Sequence, residues 1–188
     1  MKKIAIFASG SGSNALKIYE YFDENDQVMI DCVIVNNINA GIIKKAENWN
    51  CDIIKITKKT FYENSEISEE LLKKKIDLII LAGFLWLIPK HLLKSFPQKV
   101  INIHPALLPK YGGKGMYGIN VHKAVFENNE SESGITIHTI DEEYDKGKII
   151  LQKSISIKSC KSPEEIAVKV LKIEHENFAK TIENYLKR

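Results

Sequence analysis

Short, almost wholly apolar runs at residues 3–8, 28–35, 52–56, 77–82 and 99–103 alternate with stretches whose apolar residues recur at helical spacing. A parallel strand buried on both faces reads as such a run, and strand–helix alternation builds βαβ units with right-handed crossovers. The intervening helices fall at residues 15–22, 41–48, 67–75 and 89–96, with Ser13 or Asn14 as N-cap of the first and Pro89 in the first turn of the last. Past residue 103 the rhythm changes. Residues 110–118 are glycine-rich, 120–126 have helical spacing, and 134–140 and 148–157 read as a strand pair joined by an acidic turn. Ser162-Pro163-Glu164-Glu165 opens a final helix running to Tyr185, because it offers a serine cap, a proline at the first position and carboxylates in the first turn. The expected fold is α/β and Rossmann-like, a mostly parallel mixed sheet with helices on both faces.

A chain of 188 residues suits a single domain over 1–188. Its 44% hydrophobic and 27% charged residues describe an ordinary globule, and no apolar tract is long enough to span a bilayer. The net charge of +3 is dispersed as lysine over many helices, so neither nucleic acid nor membrane is implied as a partner. Cys32, Cys51 and Cys160 are odd in number and scattered, which fits a reduced, cytoplasmic setting better than a disulfide framework or a metal knuckle. Residues 4–8 are too short for the apolar core of a secretory signal.

The chemistry concentrates at the ends of strands. Asn102 and His104 occupy alternate positions where the strand at 99–103 finishes, and Pro105 and Pro109 force the chain out of the sheet. Ligands of open α/β sheets bind at that edge, so an amide donor and a titratable imidazole face one crevice. His138 and Asp145 form a second polar cluster after a later apolar strand. Ser9-Gly10-Ser11-Gly12-Ser13-Asn14 joins the first strand to the first helix, where free amides and the helix dipole favour an anion. It lacks the ending of a Walker loop and the spacing of the dinucleotide fingerprint, so a single phosphate suits it; the alternative is a tight hydroxyl-capped turn, and the strand–loop–helix context favours phosphate. Residues 82–89 bring Leu85, Trp86, Leu87 and Ile88 beside the His104 strand as an apolar wall suited to a flat heterocycle. Packing onto the next helix accounts for Leu87 and Ile88 equally well. The acidic turn at 141–147 is an ordinary solvated loop unless one carboxylate reaches His104, where an opposite charge would favour an imidazolium.

Taken together, Ser9–Asn14, Leu81-Ala82-Gly83-Phe84, Asn102 to Tyr111, Gly134 to His138 and Asp145-Lys146-Gly147 closely resemble the phosphoribosylglycinamide formyltransferases of the folate-dependent formyltransferase family. The resemblance spans nearly the whole chain. It implies a formyltransferase fold and transfer of a formyl group from 10-formyltetrahydrofolate, as co-substrate, to the amine of N1-(5-phospho-D-ribosyl)glycinamide in purine biosynthesis. On that resemblance Asn102, His104 and Asp145 are catalytic, and Gly12, Ser13 and Asn14 hold the substrate phosphate. Leu85, Trp86, Leu87, Ile88 and Asn102 bind the folate, and Glu174 contacts the acceptor ribose. No metal is implied, and the partners are the two small substrates, with the chain a monomer or homodimer.

The residue types suit that reaction. Negative charge builds on the formyl oxygen as the amine attacks, and an amide and an imidazolium are donors that can meet it without a covalent intermediate. Two departures from the family pattern lie on the presumed folate side: Trp86 stands where a basic residue is common, and the glycine-rich stretch 112–118 is long, reading either as a mobile lid or as a plain surface loop. Related RNA-directed or hydrolytic formyltransferases would need a further domain for which the chain has no room. A sugar-nucleotide N-formyltransferase and a catalytically silent nucleotide sensor are the remaining alternatives, the first disfavoured by the phosphate loop and the second by the presence of Asn102, His104 and Asp145 together.

Overall fold

The structure, a computed structural model, describes residues 1–142 and 145–188. Its centre is a seven-stranded sheet in the order β3-β2-β1-β4-β5-β6-β7. The strands are β1 (Lys2–Ala8), β2 (Val28–Val35), β3 (Asp52–Lys55), β4 (Leu78–Leu81), β5 (Val100–His104), β6 (Glu132–Thr139) and β7 (Ile149–Ser156). The first five pair in parallel, while β6 and β7 are antiparallel additions at one edge. This is the mostly parallel mixed sheet expected from the sequence.

Strand alternation divides the core cleanly. Ile4, Ile6 and Ala8 face one layer, with α1 (Ser13–Phe22), α2 (Gly41–Ala46), α6 (Ile119–Glu127) and α7 (Pro163–Leu186) supplying Ile18, Ile42, Val125 and Phe178. Ala5 and Phe7 face the other, against Phe61, Leu71 and Leu92 of α3 (Lys58–Tyr62), α4 (Glu66–Lys73) and α5 (Lys90–Ser95). Both layers are closed by side chains of near-zero exposure.

Local chemistry explains the element ends. Ser162 caps α7 by accepting from the Glu165 amide at 3.3 Å, as its sequence implies. The cap of α1 differs from expectation: it is Gly12, in the left-handed region at φ 71°, with no side-chain bond from Ser13 or Asn14. A Cβ there would sit 2.6 Å from Ile42, so both backbone and space demand glycine. Pro89 caps α5 from outside rather than lying in its first turn. The helix α3 lies in a stretch where the sequence pattern indicates no element; it is opened by a reciprocal capping box between Thr57 and Thr60.

That additional helix matters to the cleft, because Phe61 packs under Phe84 at 5.6 Å and Trp86 at 5.7 Å between ring centroids and also meets Phe7 at 6.4 Å. Fully buried Phe61 therefore joins the central strand to the loop after β4. Phe61→Ala should destabilise the protein by about 3–5 kcal/mol, the usual cost of emptying a large aromatic site. Urea unfolding of the two proteins checks this; a loss under about 1 kcal/mol would mean the cluster is loosely packed.

Candidate active site

The sheet order reverses between β1 and β4, whose onward connections lead in opposite directions. A crevice opens there at the carboxyl ends of the strands. It is about 580 Å³ in volume, bordered by the loop after β1, the loop after β4, the end of β5, the glycine-rich segment and α7. The first two of these are tied together: the Ser9 amide donates to the Gly83 carbonyl at 3.1 Å, and the Leu85 amide donates to Ser9 Oγ at 3.0 Å.

At one end lies the start of α1, where the Ser13, Asn14 and Ala15 amides precede the first helical bonds and are open to an acceptor. The loop's far side is braced by α2, since Lys45 Nζ donates to the Ser11 carbonyl at 2.7 Å and the Ile42 amide to the Gly10 carbonyl at 3.2 Å. Asn14 Nδ2 donates to Glu174 Oε2 at 2.7 Å, while Asn14 Oδ1 is buried without a partner. Burial pushes the Glu174 carboxyl up to about 7, and the Asn14 bond only partly opposes this. Gly12, Ser13, Asn14 and Glu174 thus share one end of the cleft although most of the chain separates them.

In the middle, β5 presents Asn102 and His104 on alternate positions, opposite His138 and Thr136 of β6. His138 Nδ1 lies 2.8 Å from the Thr139 carbonyl, which can only accept, so that nitrogen carries the proton. The other nitrogen, Nε2, then offers a lone pair to Asn102 Nδ2 at 3.3 Å, which fixes which way the Asn102 amide points and leaves its second N–H for the cleft. Burial holds His138 below the usual histidine pKa, in keeping with that neutral tautomer. His104 donates from Nε2 to the Tyr111 carbonyl at 2.8 Å. Its Nδ1 is 3.6 Å from Asp145 Oδ1, an ion-pair separation rather than a hydrogen bond. The same oxygen is 3.6 Å from His138 Nε2, and Oδ2 accepts from the Gly113 amide at 2.8 Å. Asp145 therefore does reach His104, and it also anchors the glycine-rich segment. Of the acidic turn, Glu143 and Tyr144 lie outside the described residues.

Leu85, Trp86, Leu87 and Ile88 all border the other end of the cleft, but unequally. Leu85 is half exposed, whereas Ile88 is buried in the core layer around Phe61. Tyr62 of α3 buttresses this wall by donating from its hydroxyl to the Leu87 carbonyl at 3.1 Å. Sequence reasoning misses His122 of α6, which borders the cleft and is 5% exposed, because its spacing with Val121 and Val125 is that of an ordinary core position. His138, which the sequence groups with Asp145 in a polar cluster, lies inside β6 rather than after it, opposite Asn102.

The profile of the formyl transferase family matches residues 2–182. The chain belongs to the formyl transferase family. Among relatives, a phosphoribosylglycinamide formyltransferase of Bacillus subtilis is 35% identical over 192 residues, covering 99% of this chain and 95% of its own. A chloroplastic phosphoribosylglycinamide formyltransferase of Arabidopsis thaliana is 39% identical over 189 residues, covering 96% of this chain. This formyl transferase chain spans 64% of the length of that plant relative and 60% of the length of its counterpart from Vigna unguiculata. The crystal structure of glycinamide ribonucleotide transformylase 1 from Geobacillus kaustophilus superposes with a TM-score of 0.89 at 31% identity, covering 99% of each chain.

The raised carboxyl at Glu174 gives a signed pH dependence. Its folded pKa of about 7 lies above the ordinary 4.5, so its neutral form contributes stability that is complete below pH 4.5 and lost as pH rises through about 7. Glu174→Gln keeps the Asn14 neighbour and removes the titration. Wild type should match the variant near pH 4.5 and fall behind it by up to about 3 kcal/mol above pH 8, read from urea unfolding across that range. A constant difference at all pH values would show that folding leaves the Glu174 carboxyl at its ordinary pKa.

Proposed function

We propose that this chain transfers the formyl group of 10-formyltetrahydrofolate to the amine of N1-(5-phospho-D-ribosyl)glycinamide, giving the N-formyl product and tetrahydrofolate in purine biosynthesis. The observation that carries the proposal is a single cleft with an anion cradle at one end, an apolar wall at the other, and Asn102, His104 and Asp145 between them. Gly12, Ser13 and Asn14 take the phosphate, since a helix start favours a compact anion. Glu174 takes the ribose hydroxyls. Leu85, Trp86, Leu87 and Ile88, with Asn102, take the folate, whose flat ring system suits an apolar wall beside free backbone groups. The three free cysteines support a reducing compartment, the cytoplasm in this reading. Among the described residues no helix is long and apolar enough to cross a membrane.

Direct transfer fits the residues present. As the acceptor amine bonds to the formyl carbon, the C=O electrons move to oxygen, and the free N–H of Asn102 and the Nδ1–H of protonated His104 stabilise that charge. Collapse breaks the bond to the folate nitrogen, which receives the proton lost by the attacking amine, with His104 as the group through which it passes. Asp145 stabilises the imidazolium by its charge at 3.6 Å.

A spectroscopic assay supplying 10-formyltetrahydrofolate with either the glycinamide ribonucleotide or an amino-sugar nucleotide tests the reading; turnover of only the second acceptor would overturn it. Asp145→Asn keeps the size and the Gly113 acceptor but removes the charge. Its kcat should fall by roughly 100-fold or more while the acceptor KM stays near wild type. The opposite pattern, normal kcat with a raised KM, would make Asp145 a binding residue.

A further inference from the structure

The cleft holds one histidine that the proposed reaction leaves unused. His122 faces inward from α6, is 5% exposed, and its Nδ1 is buried with no hydrogen-bond partner. His91, His104 and His138, by contrast, have partners for their ring nitrogens: Ser68 and the Phe61 carbonyl, the Tyr111 carbonyl and Asp145, and the Thr139 carbonyl and Asn102. An unpaired polar atom at such depth is costly, and at the wall of a ligand cleft its natural partner is the ligand.

Its chemistry narrows that partner. Burial, aided by the nearby His104, pushes His122 down to about 4, so the ring is neutral at physiological pH. A neutral imidazole offers one donor and one acceptor, the same pair that a secondary amide presents in reverse. Its place narrows it further, since α6 packs against α7, which carries Glu174 on the same cleft, while the His122 ring lies within electrostatic reach of His104. An acceptor anchored at α1 and Glu174, with its amine at His104, brings the link between ribose and amine along this wall.

We propose that His122 is the hydrogen-bonding partner of the amide linkage in the acceptor, holding the arm that delivers the amine to His104. This rests on the formyl-transfer reading above. The ring takes no part in proton transfer; it selects acceptors whose amine is joined to the phosphoribosyl group through an amide.

Steady-state kinetics with His122→Leu and His122→Gln, and with an acceptor analogue whose amide is replaced by an alkyl link, test it. His122→Leu should raise the acceptor KM about tenfold or more, the loss of one buried hydrogen bond, while the KM for the folate donor stays nearly unchanged. His122→Gln, which retains a donor and an acceptor, should recover most of that loss. The analogue should bind wild type about tenfold more weakly than the natural acceptor and lose little further on His122→Leu. An unchanged acceptor KM in folded His122→Leu, or equal losses for both substrates, overturns the inference and leaves formyl transfer standing. Undiminished analogue binding to wild type overturns it without recourse to any variant. Failure of wild type to turn over the glycinamide ribonucleotide sinks the underlying reading itself.

Discussion

The reversal of strand order between β1 and β4 forces the chain to leave adjacent strands in opposite directions, so no crossover covers the gap above their carboxyl ends. Everything that can do chemistry is hung on the rim of that gap. The loop after β1 contributes a helix start, the loop after β4 an apolar wall, and β5 the amide and imidazole. Because β1 and β4 are buried on both faces and packed without slack, their ends are fixed points, and Ser9 ties the two departing loops to each other rather than leaving each to find its own position. The rigid sheet thus supplies the geometry and, at the end of β5, the amide and imidazole, while the loops supply the helix start and the apolar wall.

Charge in the cleft is kept scarce. Two imidazoles and one carboxylate lie within 3.6 Å contacts, yet burial holds His138 below the usual histidine pKa against the opposing pull of the Thr139 carbonyl and Asp145. Asp145 is thereby left with His104 as its cationic partner when that ring is protonated. A second neutral ring, His122, adds hydrogen-bonding capacity without adding charge. Desolvated charges are expensive unless paired, so a site of this depth can hold one ion pair far more readily than several.

The parts legible in the sequence are those with strong local signals. Apolar runs declare the strands, Ser162-Pro163 declares α7, and the proline stops place Asn102 and His104 at a strand end. The helix α3 is not legible because Lys58-Lys59-Thr60-Phe61-Tyr62 is too short to show periodicity, and its capping box uses Thr at the position where Glu or Gln is usual. Gly12 reads as part of a turn preceding a serine or asparagine cap, since the Ile42 contact that excludes a side chain comes from a different βα unit. Asp145 can be tied to His104 from sequence only through resemblance, because nothing local predicts which carboxylate of an acidic turn will fold back. The Asn14–Glu174 bond and the orphaned ring of His122 depend on α6 and α7 docking against the sheet, which no window of sequence contains.

The bond from the Gly113 amide to Asp145 Oδ2 joins the glycine-rich segment to the carboxylate beside the two imidazoles. Gly113 belongs to the segment bordering the cleft, and Asp145 carries the charge that the proposed acid, His104, would need. An excursion of that segment wide enough to break the bond would also remove one of the contacts that seat the carboxylate beside the two imidazoles. The position of the segment and the seating of the carboxylate are therefore linked through one bond. On the proposed formyl-transfer reading, a donor arriving while the segment is displaced would meet an unassembled acid, and its labile group would be spared from water.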